Sequence, residues 1–456
     1  MTRRPILAPI RSITDVAERQ LCTGCGACAA VQPDDIVMVD DIEFGRRPIV
    51  STRDGVTTDR ALACCPGVEL EHGPDPTGVV DSLRNDWGPV VAVWEGYAGD
   101  EDIRYAGSSG GAATAIALYC IEREGMGGVL HTAARADVPY LNRTVYSTTR
   151  EEMMAATGSR YAPASPCDRL DLVRDAAKPS VFIGKPCDVA ATSKVRRLDE
   201  RLNRKLGLTI GIFCAGTPTT RGTLEMLRAM GVDDPQQLVG LRYRGNGWPG
   251  HAVARFVDTR GEERESELTY AESWGDVLGP HRQWRCYVCA DHTSEFADVA
   301  VGDPWYVQPD GRDPGRSLIV ARSARGRRVV ESAIAAGALH AWPVTPDHLP
   351  ASQPELLRVR GAVWGRSLAS RMLGIPAPRF RGMPLFVVWL RDLTLRDKLQ
   401  STIGLVRRVR RKGLWKRHPV VPFNPLAPGS GCGDVPTRSV EVAERCSTGA
   451  GGAADT

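Results

Sequence analysis

The sequence predicts an α/β fold with a mixed, α+β type of sheet, preceded by a small cysteine-bearing segment and followed by a partly disordered tail. Three observations lead there. Between residues 79 and 345 short β-like runs (VVAVWEGYA, GGVLHTAA, PSVFIG, LTIGIF, HAVARFV, ADVAVGD and SLIVARS) alternate with helical stretches at 110–123, 150–156 and 219–230. Residues 1–78 are turn-rich and hold Cys22, Cys25, Cys28, Cys64 and Cys65. From residue 421 to 456 the composition, PLAPGSGCGDVPTRS and STGAGGAADT among it, lacks the large apolar groups that a core requires.

The 456-residue chain is 42% hydrophobic and 25% charged, enough apolar material for more than one core. A net charge of +4, from 58 basic against 54 acidic residues, argues against a dedicated nucleic-acid binder. The opening MTRRPILAPIRSI has no apolar run with a small-residue cleavage site, and no stretch approaches the roughly 20 apolar residues that span a bilayer. A cytoplasmic location is the expectation. In that reducing compartment the 13 cysteines serve as metal ligands or reactive thiols rather than as disulfides.

In the N-terminal segment, Cys22-Thr-Gly-Cys25-Gly-Ala-Cys28 is a C-x2-C-x2-C run, the spacing by which a tight loop wraps three thiolates around a 4Fe-4S cluster. The position where a two-cluster ferredoxin has its fourth cysteine is Gln32, followed by Pro33, so one ligand is missing locally. Cys65 stands directly before Pro66 and fits that role best, with Cys64 as the alternative. Residues 1–78 thus read as a ferredoxin-like iron-sulfur segment; a four-cysteine zinc knuckle is the plainer account, although zinc sites usually pair two C-x2-C hairpins. The polar stretch EHGPDPTG reads as a linker and sets a boundary near residue 80.

Next comes Gly107-Ser108-Ser109-Gly110-Gly111, which opens an amphipathic helix running to Glu124. Free backbone N–H groups and the helix dipole suit such an opening to a phosphate or flavin edge, and equally to a plain N-cap. Gly158-Ser159-Arg160-Tyr161 follows the helix that ends near Ala156, with Gly158 as its C-cap. Cys187 and Cys214 each follow a strand-like run, at the carboxyl ends where open sheets carry functional loops. Cys286 and Cys289 form a C-x2-C hairpin just before ADVAVGD. Alone, a cysteine after a strand is usually a small core hydrophobe; beside a C-x2-C pair, the four suit a single metal site.

In order and spacing these pieces resemble the beta-subunit family of coenzyme F420 hydrogenases and dehydrogenases, which includes formate dehydrogenase beta subunits and the 7-hydroxymethyl chlorophyll a reductase. The resemblance covers about residues 18–325: the C-x2-C-G-x-C start with its later C-P-G, the S-x-G-G helix, the Gly158–Tyr161 element and the Pro186-Cys187 element. It continues through the F-C-x-G strand end, Tyr243-Arg244, Trp248-Pro249-Gly250, C-x2-C-x-D and G-D. It implies FAD and two 4Fe-4S clusters, with a hydride exchanged between F420, or a related two-electron substrate, and the flavin, and single electrons passed to the clusters. Residues 79–345 are then the FAD- and cluster-binding domain.

The resemblance further implies that Cys22, Cys25, Cys28 and Cys65 hold one cluster and Cys187, Cys214, Cys286 and Cys289 the other. It implies that Ser108, Ser109, Gly110, Gly111 and Thr114 hold the flavin on one side and Gly158, Ser159, Arg160 and Tyr161 on another. Arg160 stands where lysine is usual, and Gly184-Lys185-Pro186-Cys187-Asp188 replaces the commoner G-T-P-C-Q, departures that bear on the substrate more than on the cofactor. Lys185 and Arg160 are the candidate cations near the flavin ring. This scheme requires no general base. His251, His281 and His292 therefore read as solvated groups, Asp298 and Asp303 as turn caps, and Trp94, Trp248, Trp274, Trp284 and Trp305 mostly as core. Cys120 and Cys167 read as replaceable.

Residues 346–420 form a basic, partly helical extension. Arg407, Arg408, Arg410, Arg411, Lys412, Lys416 and Arg417 suit peripheral contact with acidic lipid or an acidic partner, a solvated basic helix being the plainer reading. The expected function is an iron-sulfur flavoprotein oxidoreductase using F420. An electron-relay subunit serving a ferredoxin or partner redox subunit is the alternative, and a zinc-bound scaffold the third reading. No well-placed G-x-G-x-x-G supports a nicotinamide.

Overall fold

Parallel strands need long crossovers, and the alternation of β-like and helical stretches supplies them. A computed structural model describes residues 9–308 and 313–426. An antiparallel hairpin of β1 (Ile36–Asp41) and β2 (Gly45–Val50) comes first, then the short β3 (Glu69–Glu71). Next are β4 (Ala92–Ala98), β5 (Val129–Ala134), β6 (Asn142–Ser147), β7 (Ser180–Gly184) and β8 (Leu206–Ile212). A separate antiparallel sheet of β9 (Leu238–Arg242), β10 (Ala252–Val257) and β11 (Glu263–Leu268) is inserted before β12 (Val299–Gly302), β13 (Ser317–Ala321) and β14 (Leu339–Pro343).

The large sheet has eight strands in the order β14-β4-β13-β12-β8-β7-β5-β6. Its middle, β12-β8-β7-β5, is parallel, and every other pairing is antiparallel, so the expected mixed sheet is what forms. Strand β13 (SLIVA) is buried along its whole length, as a continuous apolar run in mid-sheet should be. Its alternate residues serve two cores. Ile319 and Ala321 pack with helix Ala112–Glu122 and with Val329 and Val330, while Leu318 and Val320 pack with Leu83, Trp87 and Leu349.

The N-terminal segment shares its core with the C-terminal extension: Ile13, Val16, Leu21 and Ile36 pack with Leu405, Val409 and Leu414. The extension supplies helices Pro354–Met372, Leu385–Asp392 and Leu395–Lys412, and β15 (Arg379–Arg381), which pairs in parallel with β3. Beyond these, Arg417 pairs with Asp15 and with Glu18, and the His418 N–H donates to the Glu18 carbonyl at 2.9 Å.

Val421 and Phe423, the first residues of the expected disordered tail, donate backbone N–H groups to Asp41 Oδ2 and the Asp40 carbonyl, because the hairpin turn leaves those acceptors open. Residues 427–456 of that tail lie outside the described residues. Among the described residues no helix is long and apolar enough to cross a membrane.

Candidate functional site

Loops leaving the carboxyl ends of β7, β8 and β12 open together on a cleft of about 290 Å³. Lys185 follows β7, Phe213 and Cys214 follow β8, and Asp303 follows β12. One wall is the opening of helix Ala112–Glu122, whose N-cap Gly111 has φ +70°. A Cβ on Gly111 would lie 2.5 Å from the Ile103 carbonyl, so only glycine lets the helix start this close to the preceding turn. Thr114 lines the cleft and has no hydrogen-bond partner among the described residues, leaving its hydroxyl available. Gly110 does not line the cleft; it packs against the Arg316 backbone.

The second wall is Gly158–Tyr161, and the two walls are tied directly: the Ser159 N–H donates to Ser108 Oγ at 2.6 Å. Ser109 also lines the cleft, its hydroxyl donating to the Arg316 carbonyl at 3.0 Å. All three guanidinium nitrogens of Arg160 are engaged, with Asn142 Oδ1, with the Leu241 carbonyl at 3.1 Å and with the Pro139 carbonyl at 2.6 Å. Lys185 Nζ meets Asp188 Oδ2 at 2.6 Å. Burial alone would depress the ammonium, yet the Asp188 carboxylate holds it above its ordinary value, so the cleft wall keeps a cation. His131 on the same wall is buried, bonds Ser147 Oγ at 2.8 Å and is lowered by burial to about 4.

Aromatic rings close the far side. Tyr270 and Trp305 stack at 5.4 Å, and Trp274 lies 4.9 Å from Tyr161. Trp274 and Trp305 both line the cleft, and Trp274 also packs against the core around Tyr243 and Leu278. Asp303 caps no turn. It accepts two bonds from Arg244, at 2.9 and 2.5 Å, and one from Trp248 Nε1 at 2.8 Å, because the buried guanidinium requires a carboxylate. Asp298 ties β8 to the next helix through Thr209 and Ser323.

Behind the cleft, Cys187, Cys214, Cys286 and Cys289 surround a void of about 30 Å³. Cys214, Gly216 and Thr217 line both cavities. A smaller void of about 10 Å³ is lined by Cys22, Cys25, Cys28 and Cys65, and Thr23 lines it together with the central void. Cys64 is not part of it; its thiol donates to the Ala61 carbonyl at 3.2 Å. Among the described residues no three His, Cys, Asp or Glu side chains are arranged to hold a single metal ion.

Burial raises Cys65 to about 12, Cys214 to about 12 and Cys289 to about 11, and pushes Cys28 and Cys187 far above the ordinary thiol value. Bare, these thiols stay protonated. Their surroundings are nevertheless prepared for negative charge. The Thr217 N–H points at Cys286 Sγ and the Gly24 N–H at Cys22 Sγ, both at 3.3 Å. Arg285 and Arg47 are buried with no carboxylate partner among the described residues. Arg285 donates to the carbonyls of Pro66 and Val288, next to Cys65 and Cys289, so it stands between the two voids. Arg47 donates to Gln283 Oε1 at 3.0 Å, and the Nε atoms of both arginines lack partners. Buried cations are costly, and besides the nearby Asp41 carboxylate in the case of Arg47, anionic thiolate clusters in the voids would offset them. The donor sets therefore fit iron-sulfur clusters.

Sequence reasoning missed these two arginines and Thr23. Arg285 sits inside WRCYVC and was visible there; Arg47, in an N-terminal hairpin, had no local signal. His292 is corrected: it is buried, lines the central void, bonds the Cys214 carbonyl at 2.8 Å and is lowered by burial to about 4. The loop carrying it folds back over β8 and removes it from water. Its Nε2 is buried without a partner. The Cys167 thiol donates to the Asp188 carbonyl at 3.3 Å, beside the N-terminal cysteines. His251 and His281 pair with Glu267 and Glu225 near the surface.

Comparison with known proteins gives two family models, described as the N-terminal and C-terminal parts of the coenzyme F420 hydrogenase/dehydrogenase beta subunit, which match residues 93–170 and 178–347. Together they take in more than half of the chain. The coenzyme F420 hydrogenase subunit beta of Methanosarcina barkeri is 24% identical over 268 residues, covering 56% of this chain and 83% of that one. The F420-dependent formate dehydrogenase subunit beta of Methanocaldococcus jannaschii is 25% identical over 236 residues, covering 52% and 58%. The chloroplastic 7-hydroxymethyl chlorophyll a reductase of Oryza sativa subsp. japonica is 25% identical over 230 residues, covering 48% and 45%. The chain thus spans little more than half of the second relative and less than half of the third.

Proposed function

This chain belongs to the coenzyme F420 hydrogenase/dehydrogenase beta-subunit family, and from that premise we propose that it is an iron-sulfur flavoprotein oxidoreductase. In this reading it exchanges electrons between coenzyme F420, or a related two-electron substrate, and a ferredoxin or partner redox subunit. What carries the reading is continuity: the cleft shares Cys214, Gly216 and Thr217 with the central void, which shares Thr23 with the N-terminal void. When bound, FAD in the cleft supplies two-electron exchange and a 4Fe-4S cluster in each void supplies one-electron steps.

The protein's own groups orient and polarise. The start of helix Ala112–Glu122 presents N–H groups and the positive dipole end to an anionic part of the cofactor, with Thr114 supplying a hydroxyl. Lys185, fixed by Asp188, provides the cation toward which negative charge on a ring is drawn. Arg160 positions the Gly158–Tyr161 wall through its three bonds and adds positive charge to it. Tyr270, Trp274 and Trp305 exclude water from one side.

The test is anaerobic purification followed by a visible spectrum, quantitation of iron, acid-labile sulfide and FAD, and an F420 assay. A brown protein with flavin bands and iron near the content of two clusters, active with F420, meets the expectation. A flavin-loaded chain that reduces viologen only alongside a partner redox protein assigns it the relay role. A colourless, zinc-replete protein overturns the reading.

A further inference from the structure

We propose that the outer face of the two last helices docks on an anionic membrane surface. These helices lie beyond residue 347, where the family match ends, so the face is an addition to the domain just described. Helix Leu395–Lys412 turns Ser401, Leu405 and Val409 inward. Outward, one turn apart, it shows Leu395, Leu399 and Ile403, which are 75%, 50% and 67% exposed. The same line continues through Arg407 to Arg410 and Arg411, and Arg396 lies beside its start. Helix Leu385–Asp392 extends the apolar part with Phe386, Val387 and Leu390, all exposed. The two helices are fastened together by Lys398 Nζ on the Leu390 carbonyl at 2.8 Å and Trp389 Nε1 on Ser401 Oγ at 3.0 Å, so both rows move as one unit.

Charge selects the occupant. Arg396, Arg407, Arg410 and Arg411 have no carboxylate partner among the described residues, whereas nearby Arg391 and Arg417 are each held by two. An apolar row running into the unpaired Arg407, Arg410 and Arg411, with Asp397 at its start turned to Thr394 and Arg358, suits acyl chains beneath a layer of phosphates.

The full chain is tested by flotation with vesicles of phosphatidylcholine alone and of phosphatidylcholine with about one-third phosphatidylglycerol, with thermal melts as folding controls. It should float only with the anionic vesicles. The R407Q/R410Q/R411Q variant should weaken partitioning about 100-fold, roughly fivefold per charge, and L399S/I403S should weaken it at all salt concentrations, with unchanged melting. Failure to float, partitioning indifferent to both variants, or a dimer that L399S/I403S dissolves would overturn the proposal, the last by giving the face to a second copy.

Discussion

At the N-terminal void three of the four thiols come from one loop, Cys22 to Cys28, whereas the central void draws its four from the ends of β7 and β8 and from helix Trp284–Tyr287 and the turn after it. The first is sealed: all four cysteines are buried, under Ile13, Val16 and Pro48. The second is half-open, bordered by Gln283, Asp291 and His292 and adjoining the cleft. A site made by a loop takes most of its thiols from one short segment. A site assembled from strand ends exists only when the sheet has formed, and its position beside the cleft follows from that sheet.

The largest expected effect separates the two ligand sets. Cys65→Ser should remove one cluster's iron and sulfide while leaving flavin and the other cluster, and Cys64→Ser should leave iron content unchanged. Cys289→Ser should do the converse at the central void. Loss of all iron in any one variant would show that the voids are not independent.

Backbone substitutions sharpen the contrast. Gly26 has φ +88°, and a Cβ there would meet the Asp168 backbone N at 2.7 Å, which cannot yield. Gly216, at φ +135°, would meet Arg282 Cδ at 2.7 Å, part of a movable side chain. Gly26→Ala should therefore cost about 3 kcal/mol and Gly216→Ala about 1–2 kcal/mol, read as a larger fall in Tm for the loop-built site.

Acid should act on the cleft wall through His131. His131 is lowered by burial to about 4, from an ordinary value of 6.5, so between these values the unfolded chain binds a proton that the folded chain refuses. Stability is then constant above pH 6.5 and falls as pH drops from there toward 4. Between pH 7 and 5 the wild type should lose about 2 kcal/mol more than His131→Gln in urea denaturation. An identical loss in both would remove His131 from the account.

Arg285→Gln should act on both voids at once. Removing the shared cation should lower both cluster midpoint potentials by about 60 mV, a tenfold change for one electron, in a redox titration followed by electron paramagnetic resonance. Arg285→Lys should retain most of the wild-type value. A shift confined to one cluster would place the arginine with that void alone.

Legibility in the sequence followed the same divide. The C-x2-C-x2-C loop and the run SLIVARS declare themselves, since a short spacing or a continuous apolar stretch needs no knowledge of what lies opposite. Strand β11, ERESEL, has almost no buried residue and is held by pairing with β10, so periodicity had nothing to detect. Asp303 and His292 were misread because their surroundings come from β9–β10 and from the end of β8, far off in the chain.

The pairing of β3 with β15, and of Arg417 with an Asp15 that lies 402 positions earlier, gives the protein a clock. During synthesis the N-terminal cysteines are made hundreds of residues before the groups that strap their segment. Until residues 379–381 are made β3 has no strand partner, and until Arg417 is made Asp15 and Glu18 have no arginine.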